Sequence, residues 1–277
     1  MAKGTGLIGN FKGKVGNTVG YKLSDSNTGN TQGIRVYQPI VRNPKTSAQA
    51  EQRAKLAPIN ATYRALKMVI DRGNEGLPYG NKSRLAWLKQ AFKAENMPWL
   101  IKGATPNFPV ICQLTKGSLV GLSFETDGDA LEIIANGVTS ETTLNTIGGV
   151  STALLAAYPS LKAGDQITIV VMEHKNDGML PAIFSFVLDT TSAEATTKFS
   201  AGVDSIIFDG GVSPEFVSVI VSREGANGEH LRSTSSLVST AEIVAAAPYD
   251  DTSKEAAIAS YMSSASANAD WAEESIQ

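Results

Sequence analysis

A run of glycines at the start of the sequence comes closest to a known chemical motif. Gly4-Thr5-Gly6-Leu7-Ile8-Gly9 has the spacing of the fingerprint in which glycines bring a dinucleotide pyrophosphate against the N-terminus of a helix. That fingerprint has to follow a strand, and only three residues precede it here. The nearby Gly13-Lys14 pair does not complete a phosphate-binding loop, because Ile8 and Val15 stand where a glycine and a hydroxyl are needed. We interpret the segment as a flexible arm that is compatible with anions.

Histidines and a cysteine are the next candidates for catalysis. His174 and His230 are the only histidines, each lies next to a glutamate, and neither belongs to a recognised motif, so we expect solvated surface positions. Cys112 is the only cysteine and lies in the apolar run 110–114, which favours a buried thiol over a nucleophile. A single cysteine excludes an internal disulfide and a cysteine-rich zinc site, and it fits a reducing compartment.

One acidic turn offers oxygen ligands for a cation. Glu125, Asp127 and Asp129 lie within a glycine-containing segment, but the twelve-residue pattern of a calcium loop is missing, so we interpret it as an ordinary acidic turn. The sequence also contains no Gly-x-Ser-x-Gly nucleophile elbow. We therefore predict that the protein is not an enzyme and has no cofactor and no metal site. An enzyme whose site comes together only in the fold is the most distant alternative.

The distribution of charge is the most informative property of the chain. Residues 1–103 contain 17 Lys and Arg and 5 Asp and Glu, a net charge of +12, whereas residues 104–277 contain 7 and 22, a net charge of −15. This division predicts an anionic partner or attraction between oppositely charged parts or subunits, and two solvated faces are the simpler alternative. A nucleic acid would be bound mainly through its phosphates, because no base-reading motif is present. The candidate polyanion-binding residues are Lys12, Lys14, Lys22, Arg35, Arg42, Lys45, Arg53 and Lys55.

The basic part of the chain begins with extended segments and continues with helices. Residues 17–23 and 34–38 favour strands on either side of a turn-rich stretch, which predicts a β-hairpin. Thr46 and Gln49 then form a capping box for a helix that begins near Ser47, and we expect Pro58 to bend or restart that helix. The residues expected to face inward are Ile59, Tyr63, Leu66 and Ile70, followed after Ser83 in a further helix by Leu85, Leu88 and Phe92.

The acidic part is predicted to be rich in strands. Residues 103–109 contain two prolines and read as a linker, and a capping box at Thr252 and Glu255 predicts a late helix. The strand candidates are 119–124, 130–134, 166–172, 182–188, 205–208 and 216–221, with a short helix near 152–158. The predicted fold is α+β: a basic hairpin-and-helix region over 1–103, an acidic antiparallel β-sandwich of the immunoglobulin type over 104–250, and a C-terminal helix with a mobile tail over 251–277. Because its strands supply their own apolar faces, 104–277 is expected to fold alone.

Five short segments form a distinctive pattern. They are 13–21 (GKVGNTVGY), 41–49 (VRNPKTSAQ), 52–55 (QRAK), 219–223 (VIVSR) and 231–233 (LRS). This pattern resembles an uncharacterised domain-of-unknown-function family of gut Bacteroidota and their phages, and the last two segments resemble its final β-hairpin. The resemblance implies a phage or prophage setting and transfers no catalytic residue.

These observations predict a phage structural protein, a virion or capsid-associated assembly protein whose basic region contacts DNA or an acidic subunit. The alternative is a non-virion protein that binds nucleic acid without sequence preference. We expect partners among virion subunits or copies of the same chain, an oligomeric state and no membrane contact. No apolar run approaches the ~18 residues of a membrane span, and the first residues lack a signal peptide, so the expected location is the virion or the bacterial host cytoplasm.

Overall fold

The structure is a computed structural model that describes residues 13–23, 31–37, 46–127, 130–135, 144–211, 215–226, 228–239 and 248–263. It divides the chain into two compact units, Met1–Pro44 and Lys45–Gln277. We describe each unit by itself. The fold is α+β, as predicted, with helices and several antiparallel sheets.

The first unit contains a three-stranded antiparallel sheet. Its strands are β1 (Gly13–Val15), β2 (Thr18–Leu23) and β3 (Thr31–Val36), in that spatial order. Gly16 in the β1–β2 turn has a φ of +57°, a left-handed conformation that glycine adopts without strain. The predicted hairpin is confirmed as β2 and β3, and β1 extends it by one strand.

The second unit contains five helices and eleven strands within the described ranges. The helices are α1 (Ser47–Ala65), α2 (Lys67–Ile70), α3 (Asn81–Ala91), α4 (Ile147–Ala157) and α5 (Asp251–Ser263). The strands are β4 (Gln113–Thr115), β5 (Phe124–Asp127), β6 (Ala130–Ile134), β7 (Gln166–Lys175), β8 (Gly178–Val187), β9 (Phe199–Ala201), β10 (Ser205–Phe208), β11 (Phe216–Glu224), β12 (His230–Arg232), β13 (Ser235–Ser236) and β14 (Val238–Ser239).

Helix α1 begins where its capping signal predicts. Thr46 is the N-cap, and its side chain accepts a hydrogen bond from the Gln49 amide. Pro58 does not restart the helix, since α1 continues through this residue to Ala65. Pro58 is buried, so the packing of the helix face offsets the hydrogen bond that proline cannot donate.

Helix α3 presents a different face from the one that the apolar pattern predicted. The buried residues of α3 are Ser83, Trp87 and Ala91, whereas Leu85 is 50% exposed and Leu88 and Phe92 are half-buried. The Ser83 hydroxyl donates to the Ile70 carbonyl over 2.8 Å, and this buried bond sets the rotation of the helix. The residues predicted inward on α1 and α2 are correct, since Ile59, Leu66 and Ile70 are fully buried and Tyr63 is half-buried.

The two sheets of the second unit form a sandwich. One has the order β5-β6-β10-β9 and the other β12-β11-β7-β8. In immunoglobulin notation these orders are A-B-E-D and G-F-C-C′, so the strand order is that of the immunoglobulin sandwich. The core between the sheets includes Leu131, Ile133, Ile206 and Phe208 from one side and Ile167, Ile169, Val217 and Val219 from the other.

The sheet that contains β7 and β11 is buried on both faces. In β7, Ile169 and Val171 join the core between the sheets, whereas Val170 and Met172 join a second core beneath the helices. In β11, Val219 and Ile220 divide between the two cores in the same way. Burial on both faces explains why these strands read as nearly continuous apolar runs. The second unit is therefore built in three layers: helices, a central sheet and an outer sheet.

The helical region and the sandwich share one core, and this differs from the predicted boundary at 103/104. Trp87 of α3 and Ile59 of α1 lie in the same cluster as Phe216 and Ile220 of the central sheet. The structure divides the chain at 44/45 instead. The predicted linker 103–109 has no regular structure, yet Pro109 is buried and Phe108 packs against this shared core.

Several predicted bounds shift by a few residues. The strand expected over 119–124 is wrong for residues 119–123, which form no strand, and β5 begins at Phe124. The expected helix near 152–158 is α4, which starts at Ile147. The late helix α5 is capped two residues earlier than its Thr252 signal indicates, because the Asp250 carboxylate accepts a hydrogen bond from the Ser253 amide over 2.8 Å. The predicted mobile tail lies beyond Ser263, outside the described residues.

Candidate functional site

The structure describes five of the eight predicted polyanion-binding residues, and these five are divided between the two units. Lys14, Lys22 and Arg35 belong to the sheet of the first unit. Arg53 and Lys55 belong to α1 of the second unit. Lys12, Arg42 and Lys45 lie outside the described residues.

Strand pairing brings two basic residues of the first unit into one row. Lys14 of β1 pairs with Val19 of β2, and Val19 pairs on its other side with Arg35 of β3. Lys14 is exposed, and its ammonium lies 3.6 Å from the centroid of the Tyr37 ring. A cation over an aromatic face keeps its charge and remains open to an anion from the solvent side. Lys22 pairs with Gln32, three residues further along β2.

The two candidates on α1 differ in how far their charge is available. Lys55 forms an ion pair with Glu51 over 2.8 Å, and its ammonium also lies 5.5 Å from the Trp99 ring centroid. The hydrogen bond from Lys55 lowers the pKa of Glu51, so the two charges largely cancel. Arg53 is half-buried and makes no ion pair within the described ranges. Of these two residues, Arg53 is the better candidate for an external anion.

Cations that sequence reasoning did not select add to the basic character of the helical layer. Lys82, Leu85 and Lys89 lie on one face of α3 at spacings of three and four residues, and all three are exposed. Arg84, by contrast, lies over the Tyr63 ring at 4.6 Å and is half-buried. Exposed cations without an ion pair, counted over the described part of the chain, are Arg64, Arg72, Lys82, Lys89, Lys93 and Lys102 in this layer.

Acidic side chains dominate the surface that follows the helical layer in sequence. The exposed carboxylates of the described residues in this part are Glu125, Asp177, Asp189, Glu194, Asp204, Asp209, Glu224, Glu229, Asp250, Asp251 and Glu255. The exposed lysines of the same part are Lys116, Lys162, Lys175 and Lys198. The negative net charge that the sequence places after residue 103 is therefore carried largely by exposed side chains.

A cleft beside the helical layer collects charged residues that are distant in sequence. It has a volume of about 640 Å³ and is lined by the α2–α3 loop and by β12. Arg72, Tyr79, His230 and Arg232 contribute to its wall. Sequence reasoning missed this cleft, because no motif connects an arginine at 72 with one at 232.

The two histidines and the cysteine differ in their surroundings. His174 was expected to be solvated, but it is half-buried, its Nδ1 lies 2.5 Å from Glu215 Oε2, and its ring stacks on Phe108 at 4.4 Å. His230 is exposed, as predicted. Burial raises the pKa of the Cys112 thiol to about 12, so the thiol stays protonated near neutral pH.

The acidic turn is only partly described. Glu125 is exposed, and Asp127 is the last residue of β5. Asp129 lies outside the described residues. Within the parts of the chain that the structure describes, no group of three or more His, Cys, Asp or Glu side chains is arranged to hold a metal ion, and no helix is long and apolar enough to span a membrane.

Comparisons with known proteins add no assignment to this geometry. No protein-family model, curated protein or solved structure matches the chain.

Proposed function

We propose that this protein is a non-enzymatic structural protein, a virion or capsid-associated assembly protein, whose basic N-terminal unit contacts DNA or an acidic subunit. The observation that carries the proposal is the separation of charge between two compact units. The first unit, residues 1–44, contains six Lys and Arg and one Asp, whereas residues 45–277 contain 18 and 26. A small cationic unit that precedes a larger acidic unit in the sequence suits binding to an anionic partner.

The build of the first unit supports a contact role. Its sheet presents Lys14 on a short strand at the sheet edge, beside Tyr37 and in the same cross-strand row as Arg35. The single acidic residue of this unit, Asp25, lies outside the described residues. Several cations on one small unit strengthen the binding of a polyanion additively, because each phosphate contact releases a counterion into the solvent.

The second unit supplies an acidic surface for the first unit of another copy. Its sandwich carries exposed carboxylates, among them Glu125, Glu194 and Asp209. A basic first unit on one copy and an acidic second unit on another favour head-to-tail contacts, which close into rings or continue as filaments. Contacts of this kind are the ones that repeat in a particle.

The surroundings of the Cys112 and His174 side chains also favour a structural role. The Cys112 thiol is kept protonated by burial, and His174 is committed to Glu215 and Phe108. The resemblance of the segments 13–21 and 41–49 to a phage-associated family supports a phage or prophage setting for such a protein.

Charge substitution in the full chain tests the proposal. In the test variant, Lys12, Lys14 and Lys22 are each replaced by glutamine. In a matched control variant, Lys162, Lys175 and Lys198 are replaced, which changes the net charge equally but leaves the first unit intact. Both variants are compared with the unaltered protein for self-association and for binding to random duplex DNA at several salt concentrations.

We expect the test variant to lose binding that the control variant retains. If the partner is DNA, each phosphate contact contributes about −0.9 to the slope of log affinity against log salt concentration, so roughly four contacts give a slope near −3.6. If the partner is an acidic subunit, self-association falls and DNA binding is weak in all three proteins. Equal behaviour of the test and control variants in both assays would refute the proposal. DNA binding together with absence of the protein from purified particles would favour a non-virion nucleic-acid-binding protein.

A further inference from the structure

The cleft beside the helical layer has a shape that several rigid contacts hold in place. Asn74 pairs with Lys116, and the backbone on either side is hydrogen-bonded, from Glu75 N to Lys116 O and from Lys116 N to Gly73 O, both over 2.9 Å. A Cβ atom on Gly73 would lie 2.6 Å from the Leu114 carbonyl oxygen, so only glycine fits there. The α2–α3 loop is therefore held against the C-terminal end of β4.

Glu75 connects this loop to β12. One carboxylate oxygen of Glu75 accepts hydrogen bonds from the backbone amides of Ser118 and Arg232, over 2.8 and 3.2 Å, and both oxygens lie within 3.1 Å of the Ser118 hydroxyl. These hydrogen bonds lower the pKa of Glu75, although burial opposes them, so the side chain stays ionised. The Glu75 carboxylate is thus bound by backbone amides in the wall of the cleft and forms no ion pair with either arginine of that wall.

Two guanidinium groups in the same wall have no carboxylate partner. Among the described residues, neither Arg72 nor Arg232 forms an ion pair. Arg232 is half-buried, and its burial and the neighbouring charge of Arg72 together lower its pKa. Arg72 is exposed and lies over the Tyr79 ring at 5.3 Å. Two positive charges that share a cleft repel each other, and a bound anion offsets this electrostatic repulsion.

The chemistry of the wall indicates which anion fits. Guanidinium groups bind phosphate oxygens through paired, charge-assisted hydrogen bonds, and a phosphate monoester carries close to two negative charges to match two arginines. The volume of about 640 Å³ leaves room for more than the phosphate itself and falls within the usual range of small-molecule sites, about 300–1,000 Å³. Tyr79 is 64% exposed at the same wall and offers an aromatic surface to the rest of a ligand.

We propose that this cleft binds the phosphate group of a small phosphorylated ligand between Arg72 and Arg232, with Tyr79 against the remainder of the molecule. The site lies entirely in the second unit and does not depend on the proposed role of the first unit.

Calorimetric titration of the full chain tests this proposal. The probes are inorganic phosphate, a nucleoside monophosphate and the corresponding nucleoside, at constant ionic strength. The variant Arg72→Gln removes one of the two cations, and its matched control is Arg64→Gln, which removes an exposed cation on α1 away from the cleft. Arg232→Gln is a second variant, used after circular dichroism shows that it is folded.

We expect the two phosphorylated probes to bind and the nucleoside to bind much more weakly. Loss of a charge-assisted contact in Arg72→Gln should weaken binding roughly 10-fold to 100-fold, whereas Arg64→Gln should bind like the unaltered protein. No binding of either phosphorylated probe at millimolar concentration, equal weakening by the two variants, or equal binding of the nucleoside would overturn the proposal. If duplex DNA displaces the probes and its own binding needs Arg72, the phosphate belongs to nucleic acid and the small-ligand proposal fails.

Discussion

The two units of this chain are held together by contacts of different range. In the first unit, Lys14 pairs with Val19 and Thr18 pairs with Val36, partners that are close in sequence. In the second unit, Ile169 pairs with Val219, and Trp87 shares a core with residues of β11. The first unit is therefore specified locally, whereas the second depends on residues from across the chain. This difference suits a body that supplies stability and a small unit that supplies charge.

The largest expected effect comes from removing the helices from the central sheet. Sequence alone suggested that residues 104–277 fold independently, but Val170, Met172, Phe216 and Ile220 are covered by the helices in the structure. We now expect fragment 104–277 to aggregate or to lack a cooperative melting transition, and fragment 45–277 to melt cooperatively. Circular dichroism and calorimetry of both fragments measure this. Cooperative melting of 104–277 at the temperature of 45–277 would show that the helices are dispensable for the sandwich.

A single substitution in each unit compares how much the two units contribute to the free energy of unfolding. Phe216 is fully buried between the central sheet and the helices, so Phe216→Ala should lower the free energy of unfolding by roughly 3–5 kcal/mol. Val19→Ala in the first unit should leave the main unfolding transition unchanged, because Val19 belongs to the other compact unit. Chemical denaturation of both variants measures the change in the free energy of unfolding for each. Similar losses from the two substitutions would mean that the units unfold as one.

The parts of the fold that the sequence predicted are those with local signals. Thr46 and Gln49 marked the start of α1 correctly, and the alternation and turns around β6 and β10 gave their bounds. The antiparallel sandwich also followed from the number and spacing of short strands, whereas its strand order is known from the structure. Local patterns suffice where the residues that define an element lie within it.

The missed features depend on partners that are distant in sequence. The inward face of α3 is set by the hydrogen bond from Ser83 to Ile70, which the apolar pattern of α3 does not contain. The burial of Val170 and Ile220 beneath helices follows from tertiary packing, since a strand reads as apolar whichever element covers it. Arg72 and Arg232 line the same cleft, and a hydrogen bond from the Arg232 amide to the Glu75 carboxylate connects their two segments. The sequence around either arginine contains no pattern that predicts this contact.

The central claim is that the basic first unit, and not the folded body, drives association with an anionic partner. Sedimentation velocity of the intact protein and of fragment 45–277, each at low and at high salt and with and without random duplex DNA, tests this claim most directly. We predict that the intact protein forms larger species at low salt, either alone or with DNA, that these dissociate at high salt, and that fragment 45–277 sediments as a single small species throughout. Equal sedimentation of the two proteins under every condition would contradict it.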